Sequence, residues 1–305
     1  MARQTFQFRN QLIWTASLCL LAGARMATAQ QSAVVRLGAA QTDSGLPPGT
    51  PLTWAEDAVR NELKVIEAAD TVPLQFRERK VNAKGDTTRE IIESKDGNVA
   101  RLVERNGQPI SAKEDAAEQA RLMEDINSPD DFLKHHRKDT EVRGSVIKLV
   151  EMMPQAMIYS YTPGQPQSKD AAGLQVVLDF HPNPSFHPPT MFAEALTGLE
   201  GRVWIDAQSH YLTRIEGRVL RPVDMGFGLV AKIYPGGTLE LEQTRTPEGQ
   251  WVYSHLDEHL TARVLVVKTL PEDTVVTSWN FRSMPALLSY QDGARMLLAM
   301  PVAIR

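Results

Sequence analysis

The stretch GLEGRVWIDAQSHYLTRIEGRVL, residues 198–220, decides the fold, because it has the pattern of two β-strands joined by a tight turn. The sequence Val-Trp-Ile at 203–205 consists of strong strand formers. The sequence Asp-Ala-Gln-Ser at 206–209 is typical of a turn, and the strand pattern resumes over 210–220. The stretch therefore predicts two neighbouring strands of a sheet.

The second of these strands alternates between two kinds of side chain. One face carries Tyr211, Thr213, Ile215, Gly217 and Val219. The other face carries Arg214, Glu216 and Arg218, with Leu212 and Leu220 at its ends. An antiparallel sheet with one face on a core and the other in water produces this alternation.

Residues 1–29 have the composition of an export signal. Arg3 and Arg9 form a basic start, and the apolar run LIWTASLCLLAG follows. The small residues at 27–29 predict cleavage before Gln30. The apolar run is shorter than a transmembrane helix needs, so we expect no stable membrane anchor after processing. The predicted location is the periplasm or the medium.

The composition of the chain restricts its partners. With 42% hydrophobic and 23% charged residues, it is typical of a globular protein. Removing the export signal, which holds three arginines and no acidic residue, changes the formal net charge from −4 to −7. A mildly acidic mature chain predicts no nucleic-acid partner. Because Cys19, the single cysteine, lies in the signal, the mature chain needs no disulfide.

A flexible spacer rich in Gln, Ser, Gly and Pro is predicted over 30–52. Thr53 and Glu56 then form a predicted capping box that starts a helix ending at about Ala69. The apolar stripe of this helix is predicted to contain Val59, Leu63 and Ile66, beside Ala55 and Ala69.

Short strands are predicted at 74–81, 87–94 and 99–104, with a hairpin at Asp96-Gly97. Their many charged residues, among them Glu78, Glu90 and Arg101, predict a well-solvated sheet face. A helical insertion follows over about 111–153. A capping box at Ser111 and Glu114 starts its first helix. Its second helix is predicted from Asp131 to Met153, with an interruption near Gly144 and a stop at Pro154.

From Met157 onward the pattern is almost entirely β. The predicted strands are Met157–Tyr161, Leu174–Phe180, Arg202–Ile205, Tyr211–Leu220, Phe227–Tyr234, Thr238–Arg245, Gln250–His255, Ala262–Thr269 and Val275–Arg282. Pro271 to Asp273 is predicted to be a turn, and the tail at 284–305 to hold a short helix around 294–299 that docks on the sheet. The pattern predicts the fold class α+β, a single domain over 53–283 in which helices pack an antiparallel sheet.

Three segments carry a resemblance to a known superfamily: RLVERNGQPIS at 101–111, GRVWID at 201–206 and FGLVAKIYPGG at 227–237. Over roughly 53–283 the chain resembles the LolA/LolB-like lipoprotein-carrier superfamily, and within it uncharacterised exported bacterial proteins. The resemblance implies a strongly curved antiparallel sheet, an incomplete barrel whose concave side is filled or covered by helices. It implies no individual binding residue, because the carriers bind through scattered apolar side chains. The long helical insertion departs from the pattern of the superfamily.

The segment HLDEH at 255–259 is the most metal-like cluster, since His255, Asp257 and His259 share a face on a strand. The preferred interpretation is a solvated strand face. His135 and His136 are expected on a solvated helix face, and His181 and His187 flank a proline-rich surface loop. The sequence contains no G-x-S-x-G motif and no phosphate-binding loop. We therefore predict no catalytic, cofactor or metal residue, and ligand-binding residues stay unassigned.

The leading hypothesis is an exported, non-catalytic binding or carrier protein for an apolar ligand, a lipid or a lipoprotein acyl chain. One alternative is an envelope scaffold or assembly protein whose sheet is filled by its own helical stripes at 54–69 and 142–153. A third possibility is a metal-dependent enzyme at His255 and His259. An open concave face would favour the carrier, and a filled one would favour the scaffold.

Overall fold

The computed structural model describes residues 47–68, 72–225, 231–264 and 268–305. The export signal and most of the predicted spacer lie outside these residues. The described helices are α1 (Pro51–Ala68), α2 (Ala112–Asn127), α3 (Pro129–Ala156) and α4 (Tyr290–Ala299), with a 3-10 helix at Phe192–Gly198. None of the described helices is both long enough and apolar enough to cross a membrane.

Thirteen strands form one sheet. They are β1 (Leu74–Asn82), β2 (Gly85–Ile92), β3 (Val99–Arg105), β4 (Gln108–Pro109), β5 (Met157–Tyr161), β6 (Gln175–Pro182), β7 (Leu199–Asp206), β8 (Leu212–Val219), β9 (Val223–Met225), β10 (Ala231–Ile233), β11 (Thr238–Arg245), β12 (Trp251–Val264) and β13 (Lys268–Ser283). The order is β4-β3-β2-β1-β13-β12-β11-β8-β7-β6-β5, and β9 and β10 branch from β12. Every described strand pair is antiparallel.

The sheet does not close into a barrel, because its terminal strands β4 and β5 are not paired with each other. The predicted fold class, an α+β protein with an incomplete barrel packed by helices, is confirmed. The stretch that opened the analysis forms β7 and β8, which are adjacent near one end of the sheet.

Helices α1 and α3 fill one side of the sheet, which we call the inner face. Helix α1 contributes Trp54, Ala55 and Ala58 to the main core, and α3 contributes Leu149, Met153 and Ala156. The nine described strands from β5 to β13 all contribute side chains, including Leu178, Val203, Ile205, Val219, Leu241, Leu256 and Val276. In the described residues, the inner face is therefore a packed core over much of its area.

The predicted face assignment of β8 is confirmed for Ile215, Gly217 and Val219, which lie on the core side, but it is wrong for Leu212. The pairing of β7 with β8 shifts between Trp204 and Ile205, so Ile205 lies opposite Leu212. A β-bulge of this kind reverses the alternation beyond it, and Leu212 joins the main core.

Two predicted helix boundaries are wrong. Helix α1 begins at Pro51, and the Thr50 hydroxyl accepts a hydrogen bond from the Thr53 amide at 3.2 Å, so Thr50 caps the helix. Pro51 fits the first helical position because its fixed φ suits the helix and its missing N–H would have no partner there. Helix α3 is continuous through Gly144 and ends at Ala156, beyond Pro154, because its last turn packs into the main core. The capping box at Ser111 is confirmed.

The turn predicted at Pro271 to Asp273 is also wrong, since these residues lie inside β13. Pro271 lies opposite Thr261 of β12, and β1 pairs with β13 only from Thr274 onward. Proline is tolerated there because β13 has a neighbour on one side only. The strand predicted at Gln250–His255 is part of the longer strand β12, which continues to Val264. The strand predicted at Ala262–Thr269 covers the end of β12 and the start of β13, with residues 265–267 outside the described part of the chain.

The charged face predicted for the first strands is partly buried. Glu78, Glu90 and Arg101 are each less than a tenth exposed. Helices α2 and α4 pack beside β2 and β3 through a second cluster that includes Leu122, Tyr290 and Leu297. Glu90 and Arg101 are accommodated by ion pairs, with Arg77 and Asp115 respectively, because unpaired charges are almost never buried.

Candidate functional site

A groove of about 800 Å³ lies between α1, the C-terminal end of α3 and β5. We call it the edge groove, because β5 is a terminal strand of the sheet. Its apolar lining consists of Leu52, Val59, Leu63, Met157, Ile158 and Tyr159. Glu56, Arg60 and Glu151 lie at its polar rim.

The apolar lining arises because α1 has two apolar stripes. The inner stripe, with Trp54, Ala55 and Ala58, packs on the sheet. The second contains Leu52, Val59 and Leu63, at spacings of seven and four residues, and it faces the edge groove. The predicted apolar stripe is therefore divided between the two sides of the helix. Ala55 is buried in the main core and Val59 packs against it, whereas Leu63 is half-buried at the edge groove. A helix with apolar residues on two sides leaves part of them for a ligand or a partner.

Strand β5 forms the floor of the groove. Tyr159 packs against the main core, and its hydroxyl donates to the Met153 carbonyl at 3.2 Å. Burial raises the pKa of Tyr159. Ile158 points to the other side and is 41% exposed, and Leu52 on the opposite wall is 44% exposed. Two large apolar side chains are thus in solvent at this edge of the sheet.

Helix α1 contacts the sheet through a buried carboxyl group as well as through apolar side chains. Glu62 accepts hydrogen bonds from the Tyr253 hydroxyl and from Gln243 Nε2, the latter at 2.5 Å. Burial raises the pKa of Glu62, whereas the two hydrogen bonds act in the opposite direction. No local sequence pattern predicts this contact, since Glu62 falls among charged residues of an amphipathic helix.

A second polar contact joins α1 to the turn after β7. His210 Nδ1 lies 2.7 Å from Asp57 Oδ2, and the His210 ring centroid is 4.3 Å from that of Trp54. The hydrogen bond from His210 lowers the pKa of Asp57. The other ring nitrogen of His210 has no hydrogen-bond partner among the described residues. The pair therefore fixes the position of α1 against the turn after β7.

The opposite side of the sheet, the outer face, carries a different groove of about 740 Å³. It is lined by residues of β6, β7, β8, β11 and β12, many of which are charged. Arg214 lies 2.8 Å from Glu216, 2.7 Å from Glu240 and also contacts Glu242. The guanidinium groups of Arg202 and Arg214 cover the Trp204 ring at 5.8 and 5.5 Å from its centroid. Trp204 is thus a sheet-packing residue.

The residues of the predicted metal-like cluster share the outer face. His259 lies 3.0 Å from Asp257 and 3.0 Å from Asp273, so both of its ring nitrogens contact carboxylates. The hydrogen bond to Asp273 raises the pKa of His259. His255 Nδ1 is 3.3 Å from the Thr277 hydroxyl. Over the described ranges, no three His, Cys, Asp or Glu side chains are arranged to hold a metal ion.

Of the remaining histidines whose side chains are described, His181 lines the outer-face groove and His187 lines neither of the two grooves. His181 is exposed at the end of β6, with Nδ1 3.3 Å from the Pro182 carbonyl, and His187 is exposed in the loop that follows. The side chains of His135 and His136 lie outside what the structure describes. Among the described side chains, no predicted histidine lines the edge groove.

Glu78 is a second buried acid on the inner face. Lys80 lies opposite Val276, a residue of the main core, and Glu78 is two residues away on the same side of β1. Burial raises the pKa of Glu78 from 4.5 to about 7, and the nearby charges of Lys80 and Arg89 oppose this rise. The folded state therefore favours the protonated carboxyl group.

Stability is accordingly expected to fall as the pH rises from about 4.5 through 7. Each pH unit of this difference corresponds to about 1.4 kcal/mol, so the loss between pH 5 and pH 8 is on the order of 2 to 3 kcal/mol. The Glu78→Gln variant should lose this pH dependence in urea unfolding at the two pH values. Glu248→Gln, at an exposed turn, should keep it. An unchanged pH dependence in Glu78→Gln would contradict the assignment.

Fold and groove together define a class: an α+β protein with an open antiparallel sheet, packed by helices on its inner face and grooved at one edge. No family model matches the chain, and no curated protein matches it. Among solved structures it is similar to a DUF1329 family protein from Desulfovibrio piger, at 12% identity and a TM-score of 0.32, over 79% of this chain and 96% of that one. It is also similar to MucB, solved in complex with MucA(peri), at 10% identity and a TM-score of 0.21, over 77% of this chain and 100% of that one. Similarities this weak do not support the inference of a function.

Proposed function

We propose that the protein is an exported, non-catalytic binding protein that carries an apolar ligand, such as a lipid acyl chain, in the edge groove. The observation that carries this proposal is the half-open apolar lining formed by Leu52, Leu63 and Ile158 at the mouth between α1 and β5. A volume of about 800 Å³ is in the range of ligand sites. Each buried CH₂ group would contribute about 0.8 kcal/mol.

The packing of the main core restricts where the proposed ligand can lie. Because α1 and α3 pack directly on the inner face, the ligand is proposed to lie beside these helices and not beneath them. The location in the bacterial envelope is part of the proposal, supported by the basic start, the apolar run and the small residues before Gln30. The absence of a catalytic role is likewise proposed, supported by the lack of a nucleophile bonded to the His210–Asp57 pair in the described chain.

Ligand binding is tested with a fluorescent sixteen-carbon fatty acid and two matched variants. Leu63→Asp places a charge in the apolar lining, where an apolar ligand would have to bury it. It is expected to weaken fatty-acid binding about tenfold or more, since a tenfold increase in Kd corresponds to only about 1.4 kcal/mol of binding free energy. Leu174→Asp is the control, because Leu174 is 72% exposed and lies outside the groove. Equal binding by the two variants, or no binding by the parent protein, would contradict the proposal.

A second function, an envelope scaffold or assembly protein, is favoured by one specific observation. Trp54, Ala58, Leu149 and Met153 occupy the inner face as core side chains, as expected of a sheet filled by its own helices. Native mass spectrometry of the protein isolated from the envelope separates the two functions. A co-isolated lipid supports the carrier, and its absence together with failed fatty-acid binding supports the scaffold.

A further inference from the structure

Among the described residues, the sheet ends at β5 with a free backbone edge. The Thr162 amide donates to the Val177 carbonyl at 2.9 Å, and the Asn183 amide donates to the Ala156 carbonyl at 2.8 Å. The even-numbered residues around β5 therefore face β6. The backbone groups of Tyr159 and Tyr161 point the other way, and among the described residues neither has a hydrogen-bond partner on that side.

Such an edge is complementary to one kind of molecule. It offers N–H and C=O groups of alternate residues, about 6.8 Å apart along the strand. An extended polypeptide presents matching groups at the same spacing, and it pairs with free sheet edges as an added strand. A lipid or a sugar does not supply this repeat.

The acidic side chains beside this edge indicate the charge that a bound polypeptide should carry. Glu56 and Glu151 are exposed at the rim of the edge groove, and neither has an ion-pair partner in the described chain. The rim arginine, Arg60, is already paired with Asp57 at 2.8 Å. A basic segment would neutralise the two free carboxylates. A second copy of this chain would instead bring the same carboxylates into the interface, where like charges repel.

We propose that the free edge of β5, together with the edge groove, binds an extended segment of a partner polypeptide that alternates apolar and basic residues. The backbone of the segment pairs with Tyr159 and Tyr161 of β5. Its apolar side chains lie against Leu63 and the other apolar side chains of the groove, and its basic side chains face Glu56 and Glu151. This interaction does not rest on the proposed fatty-acid binding, because its defining contacts are backbone hydrogen bonds.

The test uses a synthetic nine-residue peptide of alternating valine and lysine. Its first control is the same peptide with N-methyl groups on alternate residues, which removes the backbone donors facing β5. N-methylation is expected to weaken binding about tenfold or more, since at least two hydrogen bonds are lost. The second control has glutamate in place of lysine. It should bind several-fold more weakly to the parent protein, and this difference should disappear in the double variant Glu56→Gln, Glu151→Gln.

Amide hydrogen exchange supplies a readout at the edge itself. The peptide is expected to slow exchange at Tyr159 and Tyr161 and to leave Ile158 and Ser160, which face β6, unchanged. Equal binding of the N-methylated peptide, unchanged exchange at Tyr159 and Tyr161, or no binding of the lysine peptide would each overturn the proposal. Protection of these amides that rises with protein concentration and without peptide would also overturn it, in favour of a second copy.

Discussion

Replacing Gly201 with alanine is expected to destabilise the fold strongly. A Cβ atom at this position would lie 1.9 Å from the Glu216 carbonyl oxygen and 2.8 Å from Cζ of Phe180. Glu216 is in β8, next to β7, so its carbonyl cannot move without breaking the pairing of Arg202 with Glu216. Phe180 is fully buried in the main core and has little room to turn. We expect a loss of at least about 3 kcal/mol in the free energy of unfolding, measured in urea.

The matched control for this variant is Gly144→Ala. Gly144 lies in the middle of α3, and a Cβ atom there would meet no atom within 4 Å. Alanine is expected to stabilise the helix by up to about 1 kcal/mol, because glycine is a poor helix former. The two glycine-to-alanine changes should therefore act in opposite directions. A soluble Gly201→Ala protein as stable as the parent would disprove the close approach of β7 and β8 at this residue.

The surroundings of Gly201 show which features the sequence pattern could predict and which it could not. The alternation over 198–220 predicts two strands with a core face and a solvated face, and the structure confirms both strands. Alternation depends only on local backbone geometry, so it is visible in one sequence. The close approach of a carbonyl oxygen to Gly201 depends on the neighbouring strand and on Phe180, which no local pattern includes. For the same reason the bulge that returns Leu212 to the core was not predicted.

The candidate site depends even more on distant parts of the chain. Hydrophobic periodicity placed α1 and β5 correctly but could not say that β5 would be the last strand of the sheet. The position of that edge decides whether Ile158 and Leu63 line a groove or join a core. Likewise, the charge of Arg101 suggests solvent exposure, and only the packing of α2 and α4 makes it a buried residue. Sheet order and helix docking are long-range properties, and they decide the function proposed here.

Arg101→Met is expected to show the second large effect, because Arg101 ties three elements together while being only 3% exposed. Its Nη2 donates to Asp115 of α2 at 2.8 Å. Its Nη1 donates to the Met300 carbonyl at 2.9 Å and also to the Leu297 carbonyl, so it satisfies the end of α4. Methionine keeps the length of the side chain but leaves these groups without their donor.

Removing one partner of such a buried pair is expected to lower the free energy of unfolding by about 3 to 5 kcal/mol. Amide exchange should accelerate most in α4, whose final carbonyls lose their cap. Arg295→Met is the control, because Arg295 lies on the same helix and pairs with Asp292 at 2.8 Å in an exposed position. Exposed pairs of this kind contribute little, so its effect should stay below about 1 kcal/mol. If both variants had the same small effect, Arg101 would not be the residue that holds the C-terminal helix on the sheet.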